Sequence, residues 1–221
     1  MPKNVHLTLA CGDYEILRGL IDGATNPEGV DLTILTKMDS TTRHWRFLRN
    51  NEFDVAELSG SSYMMARDQG MPIDAIPVFP HRRFRHGFVF INTRKGIKGP
   101  KDLIGKKIGV KSYQATAILW MRGILEHEYG VPHREIEWFS DLDEDIEFEK
   151  PKGLRLTRLP DNTSVEKELV EGRLDAVLHT DLIEPIVHKD PRVARLFPEA
   201  QALPSEAAFP TLPSSQVPWN P

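Results

Sequence analysis

The sequence predicts an α/β protein of two lobes, each a β-sheet flanked by helices, with a ligand cleft between the lobes. Short apolar runs alternate with helical periods along most of the 221 residues, which is typical of parallel sheets covered by helices. The order β-α-β-α-β occurs twice in succession. The segments at residues 53–56 and 174–177 occupy equivalent places in the two halves, each after a short charged helix. This repeat predicts two lobes rather than one sheet.

The first lobe is predicted to cover residues 1–91. Its strands are predicted at residues 5–10, 30–36, 53–58, 75–79 and 88–92. Helices are predicted at residues 15–21 and 43–50, and a third is predicted to begin at a hydroxyl cluster, residues 59–63. Thr41 or Thr42 is expected to cap the second helix.

The second lobe is predicted to cover residues 92–197, and it begins with a strand at residues 108–110 and a long helix. The apolar face of that helix follows i, i+3, i+4 and i+7 spacing and consists of Ala117, Ile118, Met121, Ile124 and Leu125. Further strands are predicted at residues 154–159 and 174–178, with a helix at 164–171. Residues 137–150 form an acidic insertion without a clear period. The proline-rich segment 198–221 is predicted to be extended and irregular.

The composition narrows the function classes. Hydrophobic residues make up 40% and charged residues 27% of the chain, as in ordinary globular proteins. The net charge of −4 and the scattered basic residues argue against nucleic acid as a partner. No run approaches the ~20 apolar residues of a membrane span, and residues 1–14 lack the apolar core of a secretory signal, so we expect a cytoplasmic protein. The single cysteine, Cys11, excludes an intramolecular disulfide and is expected to be a small buried filler.

Polar residues gather where the predicted strands end. Because ligands bind outside the carboxyl ends of parallel strands, these residues are candidates for the lining of the cleft: Asp13, Tyr14, Glu57, Ser59, Ser61, Ser62, Ser112, Tyr113, Gln114, Thr116 and Thr180. The turn before the long helix also offers backbone N–H groups to an anion. Two alternatives stay open for this set. The serines are equally suited to capping helices, and Glu57 is equally suited to pairing within its lobe.

A basic loop, residues 80–86 with the sequence PHRRFRH, joins the two halves. Its Arg82 and Arg85 suit the binding of a carboxylate, because a guanidinium can grip two oxygens at once. The alternative is a solvated basic turn. Arg43 is predicted at a helix start, where a cation is unfavourable unless an anion lies nearby, and it is a further candidate for binding an anionic ligand.

Several motifs together resemble the 4,5-dihydroxyphthalate decarboxylase family. The motifs are Cys11-Gly12-Asp13-Tyr14, Pro27-Glu28-Gly29-Val30-Asp31-Leu32, Phe53-Asp54-Val55-Ala56-Glu57-Leu58-Ser59, Ser61-Ser62-Tyr63, Ile76-Pro77-Val78-Phe79-Pro80, Phe84-Arg85-His86, Tyr113-Gln114, Trp120-Met121-Arg122-Gly123-Ile124-Leu125 and Asp190-Pro191-Arg192-Val193. The resemblance runs from about residue 7 to residue 197 and implies the two-lobed fold of type 2 periplasmic solute-binding proteins. The sequence departs from the family pattern at His81. Family members continue beyond the point where the resemblance ends, so the first lobe is expected to be incomplete.

The resemblance implies decarboxylation of a dihydroxylated aromatic acid. In this interpretation Arg82 and Arg85 hold a carboxylate, His86 delivers a proton, and Glu57 and Asp13 accept phenolic hydrogens. The implied ligand is a small aromatic carboxylate. No cofactor is expected, although a divalent ion chelated by catechol oxygens stays open, as does a homo-oligomer. The alternative function is a binding protein for a small aromatic or carboxylate anion, without turnover, because the fold alone does not decide between the two.

Overall fold

Two β-sheets of unequal size organise the chain in the computed structural model, which describes residues 3–202. The smaller sheet is parallel, with the strand order β2-β1-β3, and consists of β1 (Val5–Ala10), β2 (Val30–Leu35) and β3 (Val55–Ala56). The larger sheet has the order β7-β6-β5-β8-β4-β9 and consists of β4 (Val89–Asn92), β5 (Lys107–Val110), β6 (Glu137–Ser140), β7 (Arg155–Arg158), β8 (Ala176–Leu178) and β9 (Val193–Arg195). Strand β4 runs antiparallel to both of its neighbours, whereas β5, β6, β7 and β8 are parallel. The α/β class and the two sheets are therefore confirmed.

Helices connect the strands. They are α1 (Arg18–Ile21), α2 (Ser40–Asn50), α3 (Gly60–Asp68), α4 (Thr116–Tyr129), α5 (Val165–Val170) and α6 (Glu184–Val187). Asp39 caps α2, because its carboxylate accepts the Thr42 N–H at 3.0 Å, so the expected cap at Thr41 or Thr42 is wrong by two to three positions. Gly130 follows the last residue of α4 and terminates the helix. Its φ of +66° is the left-handed conformation that glycine adopts without strain.

The main core lies on the two faces of the larger sheet. On one face Ile118, Met121 and Leu125 of α4 pack with Ile108 and other buried residues, as the predicted apolar face requires. On the other face α5 packs against the sheet so closely that a Cβ on Gly109 would lie 2.7 Å from Leu174 and 2.9 Å from Val165. Only glycine permits that approach. Cys11 is buried, as expected.

The core of the smaller sheet is completed from the other half of the chain. Leu48 of α2 and Ala66 of α3 are buried together with Ile146, which belongs to the acidic insertion between β6 and β7. The Gln69 side chain also donates a hydrogen bond of 2.8 Å to the backbone carbonyl of Glu147. The insertion is therefore an inter-lobe segment.

Two sequence-based expectations are wrong: the strand at residues 75–79, and the irregular course of residues 137–140, which form β6. Residues 75–79 do not form a strand, and Ile76 and Phe79 are 67% and 66% exposed. Pro77 cannot donate to a sheet ladder, and Pro80 restricts the residue before it. The predicted boundary at residue 91 falls inside β4, which belongs to the larger sheet. The division into lobes at residues 1–91 and 92–197 stays a proposal.

The predicted irregular tail, residues 198–221, lies mostly outside the described residues. Its beginning forms a turn of 3₁₀ helix at Pro198–Ala202, and residues 203–221 are beyond the part that the structure describes. Among residues 3–202, no helix has the length and apolar character needed to cross a membrane.

Candidate functional site

Glu57 forms the centre of a buried polar cluster at the end of the smaller sheet. It directly follows β3, and its Oε2 accepts hydrogen bonds from Arg43 Nη2 at 2.6 Å and from the Gly12 N–H at 2.9 Å. Its Oε1 accepts the Tyr14 hydroxyl at 2.7 Å. The Arg43 and Glu57 side chains are only 2% and 14% exposed. Burial, together with this hydrogen bond to Glu57, raises the pKa of Tyr14 well above its usual value. The anion that the position of Arg43 requires is therefore Glu57 itself.

The predicted serines and Thr116 form an inter-lobe seam between α3 and α4. The Thr116 hydroxyl lies 2.7 Å from Ser59 Oγ and accepts the Ser61 N–H at 3.0 Å. Ser61 Oγ donates to the backbone carbonyl of Gln114. Ser61, Ser62 and Gln114 are at most 5% exposed. Ser59 makes no side-chain cap on α3, because its hydroxyl is turned toward Thr116.

The acidic inter-lobe segment completes the seam. The Glu144 carboxylate accepts hydrogen bonds from Ser112 Oγ at 2.7 Å and from the N–H groups of Tyr113 and Gln114 at 2.8 Å each. Burial raises the pKa of Glu144, although these bonds oppose the shift. The turn that was predicted to hold an anion therefore holds a carboxylate of the protein. Sequence reasoning missed Glu144, because an insertion without a period does not indicate where its side chains point.

Asp145 and Gln114 anchor the same segment to both lobes. Asp145 Oδ2 accepts the Ser62 hydroxyl at 2.8 Å and lies 3.5 Å from His44 Nδ1 of α2. The Gln114 amide oxygen accepts the Ile146 N–H at 3.1 Å, and its nitrogen donates to the Ile146 carbonyl at 2.9 Å. The polar groups of the seam thus form their hydrogen bonds with other groups of the protein.

Tyr113 lies beneath the guanidinium of Arg122, whose Cζ is 3.5 Å from the ring centroid. The ring is 7% exposed and makes an edge contact with Trp138 at 5.5 Å between centroids. Burial lowers the pKa of Arg122 to about 10. The structure therefore places the Tyr113 ring in the core beneath α4.

The basic loop connects the Glu57 cluster to the end of β8. The His81 ring stacks on Tyr14, with 5.6 Å between centroids and 25° between planes. Arg83 Nη1 lies 2.7 Å from Asp181 Oδ1, and Arg85 Nη1 donates to the backbone carbonyl of Thr180 at 3.2 Å. Partial burial, followed by the charges of Arg83 and Arg85, lowers the pKa of His81. The loop thus brings two cations beside the strand end at Thr180.

Burial lowers the pKa of Arg85 as well, and the neighbouring charge of Arg83 acts in the same direction. Arg82 extends toward Phe79, with its Cζ 6.0 Å from the ring centroid. The Arg85 guanidinium has five N–H donors in a fixed fork, so its bond to Thr180 leaves it able to grip a carboxylate.

The side chains of His86 and Asp13 make their contacts outside the Glu57 cluster and the seam. The His86 ring makes edge contacts with Tyr129 and Phe197, at 6.0 and 5.1 Å between centroids. Tyr129 is the last residue of α4, about 20 Å along the helix axis from Thr116 at a rise of about 1.5 Å per residue. Asp13 is exposed and pairs with Arg18 at 2.6 Å. The structure thus brings together Tyr14, Glu57 and Arg43 in one cluster and the serines with Thr116 in another. It does not bring His86 to either.

The chain is similar to two curated 4,5-dihydroxyphthalate decarboxylases. It is 36% identical to the Comamonas testosteroni protein over 92% of this chain and 64% of that one. It is 33% identical to the Pseudomonas putida protein over 92% of this chain and 81% of that one. The chain belongs to the 4,5-dihydroxyphthalate decarboxylase family. The family model described as NMT1/THI5 like also matches residues 26–135. The chain spans about 64% of the length of the Comamonas relative.

Solved structures show the fold of this family member. The alkanesulfonate-binding protein SsuA from Xanthomonas axonopodis pv. citri, bound to MOPS, matches with a TM-score of 0.56 at 13% identity, over 89% of this chain and 62% of that one. The aliphatic sulphonate binding protein SsuA from Escherichia coli matches with the same TM-score and identity, over 89% and 60%. The periplasmic-binding-protein-like fold is therefore confirmed. Within residues 3–202, no group of three or more His, Cys, Asp and Glu side chains is arranged to hold a metal ion.

Proposed function

We propose that this family member decarboxylates a dihydroxylated aromatic acid of the 4,5-dihydroxyphthalate type. Membership of the decarboxylase family supports the reaction class. The observation that carries the proposal to a site is the placement of Arg83 and Arg85 beside Thr180 and Asp181 while His81 of the same loop stacks on Tyr14. This surface offers cations and a titratable ring to an anionic aromatic ligand.

The reaction breaks the bond between a carboxylate carbon and the ring. The bonding electrons stay on the ring carbon, CO2 leaves, and a proton takes its place. A phenolic oxygen ortho or para to that carbon donates electron density to the ring, so that the carbon can accept the proton before CO2 leaves and the substrate stabilises part of its own transition state. The protein must hold the remaining carboxylate, orient the hydroxyl groups and supply one proton. Arg85 and Arg82 are proposed for the first task, since guanidinium groups bind carboxylates in two bonds.

The proton donor is proposed to be a histidine of the basic loop. His86 is the residue that the family resemblance indicates, and its ring lies against Tyr129 and Phe197. His81 is the alternative within the same loop, because it stacks on Tyr14 and lies next to the Glu57 cluster. A lowered pKa leaves its imidazole mostly neutral near pH 7, in the form that accepts a proton before it donates one.

The proposal is tested by measuring CO2 release from 4,5-dihydroxyphthalate and, separately, equilibrium binding of phthalate, which lacks the activating hydroxyls. Arg85→Ala should weaken phthalate binding by about 30-fold to 1,000-fold, the equivalent of ~2–4 kcal/mol for a largely desolvated pair. Arg192→Ala is the matched control, since Arg192 is 49% exposed and pairs with Asp190 at 2.6 Å. Replacing the true proton donor, His86→Gln or His81→Gln, should lower turnover by about 100-fold or more with phthalate binding little changed.

A second function is favoured by the fold. The SsuA proteins are binding proteins, and an aromatic or carboxylate anion held by Arg85 needs no turnover. Tight binding of phthalate together with no CO2 release from any dihydroxyphthalate would replace the decarboxylase by this binding function. Roles for Asp13 and Glu57 as acceptors of phenolic hydrogens, a cytoplasmic location and a homo-oligomer stay predictions.

A further inference from the structure

Three polar side chains form a row along the carboxyl edge of the larger sheet. Strands β6, β5 and β8 are neighbours in the sheet, and Val110 is in register with both Ser140 and Leu178. The next residue on each strand is therefore level with the others: Asp141, Lys111 and His179. We call these three residues the strand-end row.

Glu166 of α5 lies beside the row and joins it electrostatically. Lys111 Nζ is 3.9 Å from Asp141 Oδ2 and 3.8 Å from Glu166 Oε1. His179 Nε2 is 3.3 Å from Glu166 Oε1. The side chains of Lys111 and Glu166 are 34% and 22% exposed, whereas those of Asp141 and His179 are only 6% and 8% exposed. Lys111 and Glu166 are thus the more exposed members of the group, and Asp141 and His179 lie beneath them.

Two buried atoms of the row lack a hydrogen-bond partner among the residues that the structure describes, Asp141 Oδ1 and His179 Nε2. Asp141 Oδ2 accepts the Val165 N–H at 3.1 Å, which leaves Oδ1 as a buried acceptor. In the tautomer whose Nδ1 accepts the Asp181 N–H at 3.0 Å, the ring proton lies on Nε2; the Asp181 carbonyl, 2.9 Å from Nδ1, would accept a proton in the other tautomer. The Nε2–H is not aligned on the Glu166 carboxylate. Buried polar groups are normally paired.

One of the two unpaired atoms is an acceptor and the other is a donor. A ligand group that both donates and accepts a hydrogen bond therefore matches them. A hydroxyl has that chemistry, because its proton can be donated to a carboxylate oxygen while its oxygen accepts from an imidazole N–H. An anion is disfavoured by the carboxylates of Asp141 and Glu166, and Lys111 already occupies the position of a cation between them. The ammonium group of Lys111 would instead stabilise negative charge that develops on the oxygen of a phenol.

We propose that the strand-end row binds a phenolic hydroxyl of the substrate. This inference rests on the proposed function and adds the residues that recognise the hydroxylated edge of the ring. The row is continuous with the carboxylate-binding surface, because His179 is followed by Thr180 and Asp181, which contact Arg85 and Arg83. Glu57 is less suited to the same task, since its two oxygens already accept three hydrogen bonds from the protein.

The test compares two unreactive ligands by isothermal titration calorimetry on the full chain. Loss of one carboxylate from 4,5-dihydroxyphthalate leaves 3,4-dihydroxybenzoate, and benzoate lacks its hydroxyls. We expect the wild-type protein to bind the dihydroxylated ligand at least about 10-fold more tightly than benzoate. In Asp141→Asn that preference should fall to about 2-fold or less with benzoate affinity unchanged. The asparagine oxygen can still accept the Val165 N–H, but its NH2 group then faces the hydroxyl proton.

Three further variants separate the row from general effects of charge and folding. Asp143→Asn removes a carboxylate of the same acidic segment whose side chain is 78% exposed, and it should keep the full preference. Lys111→Met should also reduce the preference, and it serves as the test if Asp141→Asn does not fold. Arg85→Ala should weaken both ligands by the same factor, which leaves their ratio unchanged.

The outcomes distinguish the inference from the proposed function. Equal binding of both ligands by the wild-type protein overturns the hydroxyl subsite and leaves the carboxylate site standing. An equal loss of preference in Asp141→Asn and Asp143→Asn overturns it too, since net charge would then be the cause. Binding of neither ligand, with no CO2 release from 4,5-dihydroxyphthalate, overturns the proposed function and the inference with it.

Discussion

The inter-lobe seam and the strand-end row are both built from buried polar residues at strand ends, but they differ in how their hydrogen bonds are completed. In the seam, Ser61, Ser62 and Gln114 are bonded to groups of the opposite lobe or of the inter-lobe segment. In the row, Asp141 and His179 are equally buried, yet each keeps one polar atom without a partner in the described part of the chain. Side chains whose hydrogen bonds are all formed within the protein have a structural role, whereas a buried polar atom without a protein partner is a candidate for contacting a ligand.

The Glu57 cluster extends the comparison to charge. Arg43 and Glu57 form a buried ion pair, although Arg43 Nε, unlike the side chains of the seam, has no hydrogen-bond partner in the described part of the chain. Breaking such a pair leaves one uncompensated charge in the interior, which costs more than the loss of a neutral hydrogen bond. Mutation should therefore reduce the free energy of unfolding most in the Glu57 cluster, less in the strand-end row and least in the seam.

The largest effect is expected at the buried ion pair. Arg43→Met should lower the free energy of unfolding by about 3–5 kcal/mol, because the Glu57 carboxylate stays buried without its counter-charge. Arg46→Met on the same helix is the control. Arg46 pairs with Glu52, but their side chains are 41% and 31% exposed, so a loss of no more than about 1 kcal/mol is expected. Urea denaturation of the two variants measures both. Equal losses would mean that the Glu57 cluster is not more desolvated than the surface.

The second effect concerns the pH dependence of stability at the strand-end row. The His179 imidazole, whose Nε2 is 3.3 Å from Glu166 Oε1 but is not aligned for a full hydrogen bond, is the largest cause that lowers the pKa of Glu166, against the opposing effect of burial. A lowered pKa in the folded state contributes stability that is present above the unfolded value of about 4.5 and is lost as the pH falls toward 2.

Glu166→Gln should therefore remove most of that contribution at pH 7 and flatten the decline of stability between pH 5 and pH 2. Denaturant titrations at several pH values measure the slope. Glu15→Gln, at a carboxylate that is 92% exposed, provides the control. If the Glu166→Gln protein keeps the wild-type decline, another carboxylate carries the titration.

A smaller effect is expected within the seam. Thr116→Val keeps the shape of the side chain but removes the hydroxyl that lies 2.7 Å from Ser59 Oγ and accepts the Ser61 N–H. We expect a loss of about 1–2 kcal/mol in unfolding free energy, the cost of leaving a buried donor unpaired. Thr116→Ser restores the hydroxyl and should recover most of the loss. Unchanged benzoate binding in both variants would support a structural role for the seam, whereas weaker binding would place a ligand there.

The sequence predicted the regular elements well, and the reason is periodicity. The apolar spacing along α4 indicated its buried face, and Ala117, Ile118, Met121 and Leu125 are buried, whereas the fifth predicted member, Ile124, is only half-buried. The same reasoning failed at residues 75–79, where apolar residues suggested a strand. There Pro77 interrupts the ladder, and Ile76, Val78 and Phe79 are about half to two thirds exposed, at 67%, 49% and 66%.

The candidate site was predictable only as a set of polar strand ends. Spacing brought Tyr14, Glu57 and Arg43 into consideration, but it does not show which carboxylate pairs with which cation. The turn at residues 112–114 does bind a carboxylate, and that carboxylate is Glu144 of the chain itself. Asp141 belongs to the same aperiodic acidic insertion. The ligand contact proposed for Asp141 depends on the packing of α5, which presents the Val165 N–H to one of the two carboxylate oxygens.

The smallest effect is expected at Asp13, which was predicted to act in the reaction. Its side chain is 58% exposed and pairs with Arg18, which is 39% exposed. An exposed pair of this kind contributes little, so Asp13→Asn should change the free energy of unfolding by no more than about 1 kcal/mol. Ser59→Ala, which removes a hydroxyl from the seam, is a useful comparison because its effect on stability should be at least as large.

This near-neutral effect makes Asp13 a clear test of function by turnover. Because Asp13→Asn should stay folded, a loss of CO2 release of about 100-fold or more would report a role in the reaction rather than a fault in folding. Retention of wild-type turnover would remove Asp13 from the site and leave Glu57 and Asp141 as the candidate acceptors of phenolic hydrogens. Of these two, Asp141 has a buried oxygen without a partner among the described residues, whereas both oxygens of Glu57 already accept hydrogen bonds from the protein.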